Sequence, residues 1–130
     1  MTSAEPRLEQ PIRSIEAITP YRSKIVISTR EGYYLIDKAA IRFIEADGNY
    51  CFIHFGKSEK VLCSKPLKHL ESKLGSGSFF KTHQSYLVNA NSICFVDPTL
   101  SKIELEGGQS LPVSRSKKET LRFYLKNMFD

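Results

Sequence analysis

The sequence predicts a mainly β domain of antiparallel strands with two short helices. Three observations carry that prediction. Short runs rich in Ile, Val, Tyr and Phe recur between turns that contain Gly or Asn. Only two stretches switch to a helical period. No parallel strand–helix–strand unit is recognisable, which sets aside Rossmann and P-loop architectures.

Each element has a local reason. Lys24–Arg30 and Tyr33–Asp37 flank Glu31-Gly32, a hairpin turn. Ile41–Asp47 and Tyr50–Phe55 flank Gly48-Asn49, and Gly and Asn tolerate the positive φ that a tight hairpin needs. Lys60–Ser64 reads as a further strand. In Ser64–Leu74 the spacing of Leu67, Leu70 and Leu74 makes one helical stripe, with Ser64 as cap, Pro66 in the first turn and Gly75 at the stop. Lys65, Lys68 and Lys73 lie off that stripe and are expected to face water. Phe79–Asn91 sets a polar cluster, Lys81 to Ser85, between apolar anchors, and is expected to hold up an exposed tip. Ser92–Val96, Ser101–Glu106 and Gln109–Val113 complete the strands, with Ile103, Leu105, Leu111 and Val113 inward. Ser116-Lys117-Lys118-Glu119 has the form of a capping box, opening a helix that buries Leu121, Leu125 and Met128. The count is eight to ten short strands.

The 130 residues suffice for one domain with a genuine core. Met1–Pro20 is polar, broken by Pro6, Pro11 and Pro20, with Ile12, Ile15 and Ile18 as its apolar material. It is read as an arm, 1–20, outside a main domain of 21–130. Lys and Arg number 19 against 14 acids, a net +5; two of those cations and three of those acids fall in the arm, so the remainder carries 17 against 11, or +6. Such a balance favours an acidic partner, nucleic acid or an anionic surface, without choosing between them. No long apolar segment and no signal-peptide profile is present, so the chain reads as soluble and intracellular, with no membrane partner. Cys51, Cys63 and Cys94 lie singly in apolar runs and are expected to be small buried core residues.

Enzymatic chemistry finds no foothold. There is no Gly-x-Ser-x-Gly, no Gly-rich phosphate loop and no His-Glu-x-x-His, and no carboxylate pair stands out. His54, His69 and His83 fall in a strand, a helix and a polar tip, which is no metal-ligand pattern. The reading is no enzyme, no metal and no cofactor. Nucleic-acid binding draws support from three places: Lys81-Thr82-His83-Gln84-Ser85, Ser114-Arg115-Ser116-Lys117-Lys118 at the mouth of the last helix, and the basic face of Ser64–Leu74. Cations, hydroxyls and free amides at a helix mouth suit phosphate.

Phe79-Phe80-Lys81-Thr82-His83-Gln84-Ser85-Tyr86-Leu87-Val88-Asn89 resembles the core signature of the LytTR DNA-binding domain. Three further motifs resemble that family in its own order: Ile44–Tyr50 its early hairpin, Ser64–Glu71 its short helix, Leu111–Arg115 its closing motif. Together they cover about Lys24 to Phe129. The resemblance implies an elongated antiparallel multi-sheet fold that binds double-stranded promoter DNA in bacterial transcription regulators. It does so through loops inserted into the major groove, and a cytoplasmic protein is implied. Carried over by motif, Gln84 and Arg115 read bases, and Asn49 joins them more loosely. Lys68, Lys81, Ser85, Ser116 and Lys118 fall to the backbone. His83 and Tyr50 stay between contact and loop brace, with His83 leaning to brace, and Asn89 is expected to tie the turn after Val88. Chemistry agrees: an Arg fork suits guanine O6/N7, and a Gln amide suits adenine N6/N7. Lysines and hydroxyls set affinity and register on phosphates.

Family members often carry a receiver domain ahead of this one, whereas here some twenty residues precede it. A stand-alone regulator and a C-terminal fragment both fit. The resemblance implies paired sites, leaving a homodimer on DNA and a regulatory protein partner open. The alternative is a protein-interaction module of the same fold without direct DNA readout. RNA fits less well, because few aromatics interleave the basic clusters.

Overall fold

The computed structural model describes residues 23–75 and 77–129. They form ten strands in three antiparallel sheets and two α-helices. The expected arm, 1–20, lies outside the described residues.

The first sheet is the hairpin of β1 (Lys24–Thr29) and β2 (Gly32–Asp37). Its loop is Arg30-Glu31, one residue earlier than the sequence suggested, and Gly32 already belongs to β2. The central sheet comprises β3 (Ile41–Asp47), β4 (Tyr50–Phe55), β5 (Glu59–Cys63), β6 (Phe79–His83) and β7 (Tyr86–Asn89), in the order β5-β4-β3-β7-β6. A third sheet pairs β8 (Ile93–Val96), β9 (Lys102–Leu105) and β10 (Ser110–Pro112) in the order β10-β9-β8. Helix α1 spans Leu67–Leu74 and α2 spans Lys118–Phe129.

The central sheet is covered on both faces, so its middle strands are buried without alternation: Ile41 to Ile44 and Leu87 to Asn89 are all buried. Neighbouring residues then serve different cores, because successive side chains leave opposite faces of a strand. Ile44, Phe79 and Leu87 join Ile25, Ile27 and the α1 leucines on one side. Phe43, Phe80 and Val88 join Ile103, Leu105 and Leu121 on the other. Phe80 also stacks on Tyr124 of α2, with ring centroids 4.1 Å apart. Of the expected α2 stripe Leu121 is buried and Leu125 half-buried; the Met128 side chain lies outside the described residues.

Both expected caps are corrected. Pro66, not Ser64, occupies the N-cap of α1, where its fixed φ already matches the extended entry. Gly75 ends that helix at φ 74°, its N–H donating to the Glu71 carbonyl at 3.1 Å. The capping box at Ser116 is not formed. The chain enters α2 through a 3-10 turn, Arg115–Lys117, and Glu119 pairs instead with Arg122.

Arg42 is a device the sequence did not announce. It is buried in β3, donating through Nε to the Gly56 carbonyl at 2.9 Å and through Nη1 to the Glu106 carbonyl at 3.3 Å and to Gln109 Oε1. The guanidinium thereby clips the β9–β10 hairpin to the central sheet. Gly107 must stay Gly: its φ is +100°, and a Cβ there would meet Nη1 at 2.8 Å.

Cys51 and Cys63 face each other across β4 and β5, buried and free, and burial together with the neighbouring thiol pushes Cys51 up to about 11. Cys94 contradicts its expected burial. It is exposed, because β8 is an edge strand with a bulge between Ile93 and Phe95 that turns residues outward.

His54 of β4 lies flat against Phe43, with centroids 4.0 Å apart, and its Nε2 is 3.2 Å from Glu45 Oε1. Burial lowers its pKa from 6.5; Glu45 opposes that shift, while Arg42 and Lys60 add to it. A depressed folded value means that the unfolded chain takes the proton first as pH falls. Stability is therefore expected to decline as pH drops from about 7 to about 5. Urea midpoints at the two values check this, and His54→Gln should remove part of the decline.

Candidate nucleic-acid interface

The polar stretch around Lys81 is less of a loop than its composition suggested. Lys81, Thr82 and His83 are the last residues of β6, and only Gln84-Ser85 form the turn into β7. Thr82 points inward and is fully buried, so it leaves the expected exposed tip, and its Oγ1 has no hydrogen-bond partner among the described residues. Gln84 is the exposed member. Phe79 and Phe80 on one strand, with Leu87 and Val88 on the other, anchor this hairpin into both cores.

His83 braces the turn. Its Nδ1 accepts the Ser85 backbone N–H at 3.1 Å, and its ring leans on Tyr86 at 5.7 Å. Asn89 closes the other end of the hairpin. Its buried side chain donates through Nδ2 to the Ile41 carbonyl at 2.8 Å and accepts the Asn91 N–H at 3.0 Å. It ties the following turn as expected, and also reaches across to β3.

Two backbone bonds bring three loops together. The Ala46 N–H donates to the Ser85 carbonyl at 2.8 Å, so the end of β3 runs beside the Gln84-Ser85 turn. That puts the β3–β4 turn, Gly48-Asn49, at the same end of the sheet, with Asn49 and Tyr50 exposed. On the outer edge of β6 the Ser114 N–H donates to the Thr82 carbonyl at 2.8 Å. Arg115 and Ser116 follow at once in an exposed turn. The order across this end is Asn49-Tyr50, then Gln84-Ser85, then Arg115-Ser116. Residues 66 positions apart in sequence share one edge because β6 pairs on one side with β7 and on the other with the Ser114 segment.

The predicted backbone-contacting residues are less uniform. Ser116 is exposed beside Ser114, with hydroxyls 3.4 Å apart. Lys118 is half-buried and donates to Ser101 Oγ at 3.3 Å. Lys81 is half-buried, its Nζ 4.0 Å from Glu71 Oε1 on α1. Ser85 is half-buried, with its amide and carbonyl committed to His83 and Ala46. Lys68 is exposed on the first turn of α1. Cys63 pairs with Cys51, next to Tyr50, so the connection into α1 leaves from the same end of the sheet. No hydrogen bond among the described residues ties Lys68 to the three loops.

The profile of the LytTr DNA-binding domain matches residues 31–126. This chain belongs to the LytTR family. It is 29% identical over 120 residues to the sensory transduction protein LytT of Oceanobacillus iheyensis, covering 88% of this chain and 49% of that protein. It is 34% identical over 70 residues to the CO-responsive transcriptional regulator RcoM of Rhodospirillum rubrum, covering 52% of this chain and 28% of that one. The chain thus spans about half the length of the first relative and less of the second. A solved LytTr DNA-binding domain from Bacillus cereus superposes with a TM-score of 0.68 at 24% identity, over 79% of this chain and 96% of that one. That likeness carries the fold: three antiparallel sheets with two helices are the LytTr architecture. Among the described residues no helix is long and apolar enough to cross a membrane.

Proposed function

We propose that this LytTR domain binds promoter DNA with sequence specificity and regulates transcription by inserting its loop end into the major groove. The observation that carries the reading is the alignment of Asn49, Gln84 and Arg115 along one end of the central sheet. Two bonds of 2.8 Å, Ala46 N–H to Ser85 and Ser114 N–H to Thr82, hold that alignment. Gln84 and Arg115 are exposed; a Gln amide offers the donor and acceptor that an adenine edge needs, and an Arg fork the two donors that guanine O6 and N7 accept. Asn49 is the third reader. Lys68, Lys81, Ser85, Ser116 and Lys118 supply phosphate contacts, with Tyr50 at the margin and His83 as brace. Lys81 reaches a phosphate by leaving Glu71, a long, partly exposed pairing at 4.0 Å that costs little to break.

Mobility shift on promoter fragments across a salt series tests this. Binding should weaken steeply with salt; retention indifferent to salt, or none on a bacterial promoter pool, would sink it. Lys118→Ala should weaken cognate and random duplex alike and reduce the salt slope by about 1. A selective loss on the cognate duplex would move Lys118 from the backbone to the bases.

A further inference from the structure

We infer that β2 is a self-association edge, through which two copies of this chain join their β1–β2 hairpins into one four-stranded antiparallel sheet. This rests on the hairpin alone and is independent of the DNA reading.

An open sheet edge invites pairing, and proteins blunt it with short strands, bulges, Pro or charge. The other edges here are blunted. β10 is three residues long and ends in Pro112. β8 carries a bulge. β6 is bulged between Lys81 and His83 and receives the Ser114 amide. β5 carries Glu59 and Lys60, and it and β1, the other edge of the hairpin, pack beside each other. Among the described residues β2 has none of these devices. It runs six residues in unbroken register with β1, and its single charge, Asp37, lies at its end, 3.6 Å from Lys24.

That edge, free among the described residues, also complements itself. The two-residue loop closes on the pair Thr29 and Gly32, so the peptide groups of Gly32, Tyr34 and Ile36 face β1. Those of Tyr33 and Leu35 then face outward, and after Asp37 a 3-10 turn, Lys38–Ala40, bends the chain away. A two-fold axis through Tyr34 sets Tyr33 opposite Leu35 of the second copy, and Leu35 opposite its Tyr33. Every outward amide and carbonyl of those two residues is then paired. Their side chains are 75% and 53% exposed, and Val26, opposite Leu35 on β1, is 47% exposed. The two-fold extends these into one apolar row without opposing like charges, an isologous contact of the kind that closes dimers.

Sedimentation velocity of the full chain without DNA, over a wide concentration series, tests the edge and its register. Wild type should pass from monomer to dimer as concentration rises. Tyr33→Glu with Leu35→Glu sets carboxylate against carboxylate at both positions and should weaken the dimer by about a hundredfold. Tyr33→Lys with Leu35→Glu sets cation against carboxylate and should restore it. Circular dichroism matching wild type shows that each variant is folded. A wild type that stays monomeric throughout, or a doubly acidic variant that dimerises as wild type does, overturns the proposal. Failure of the charge-paired variant to recover rejects the axis at Tyr34. Assembly only with another protein would give β2 a different occupant.

Discussion

Arg115→Ala is expected to bind its selected operator and an unrelated duplex with nearly equal affinity. Arg115 is exposed in the turn ahead of α2, and the bond from Ser114 to Thr82 fixes that turn against β6. A guanidinium held there by its backbone can present its fork to guanine O6 and N7, a pairing worth about 1–3 kcal/mol of discrimination. Removing it should cost that much on the operator and little on random DNA, because the phosphate contacts proposed for Ser116 and Lys118 do not depend on it. Competition binding with operator and scrambled duplex measures both. Equal losses on the two would remove Arg115 from base readout. Arg115→Lys should recover affinity more than specificity, since an ammonium lacks the planar fork.

Asn89→Leu is expected to destabilise the fold by about 2–4 kcal/mol, because it strips partners from two backbone groups at once. Asn89 is 1% exposed, and it donates to the Ile41 carbonyl and accepts the Asn91 amide. Leu has the same branched side chain of four heavy atoms, so no cavity opens; the unsatisfied groups dominate, with some crowding from the bulkier methyls. Urea unfolding reads the change as a lower midpoint at unchanged slope. A loss under about 1 kcal/mol would mean that water replaces the amide. The effect should also reach the proposed DNA surface, because Asn89 joins the Gln84 hairpin to β3, whose far end leads into the Gly48-Asn49 turn.

Much of this architecture was legible because local rules agreed with the final packing. Gly48-Asn49 and the Leu67, Leu70, Leu74 stripe each had a local cause that tertiary structure left intact. Misreadings arose where a distant partner decided the outcome. Thr82 looked exposed among polar neighbours, yet β6 continues through it and the strand period turns it inward. Ser116 and Glu119 had capping-box spacing, but the Ser114 bond to β6 draws the chain into a 3-10 turn first. Cys94 sat in an apolar run, and only the sheet order reveals that β8 is an edge. A lone arginine such as Arg42 reads as a solvated strand residue, since its partners lie 14 and 64 positions away.

The candidate site divides in the same way. Gln84 and Arg115 were reachable through the ordered motifs, and their exposure fits that reading. Their proximity was not in the sequence, because it depends on the pairing of β6 with the segment at Ser114. His83 is the clearest gain: its Nδ1 bond to the Ser85 amide gives it a definite task in shaping the turn.

Selection of bound sequences from a random duplex pool, run in parallel on wild type and Arg115→Ala, tests the central claim most directly. The wild-type chain should enrich one motif containing a fixed guanine, and that position should become degenerate with Arg115→Ala while the adenine read by Gln84 persists. An unstructured wild-type pool, or the same motif from both proteins, would contradict it.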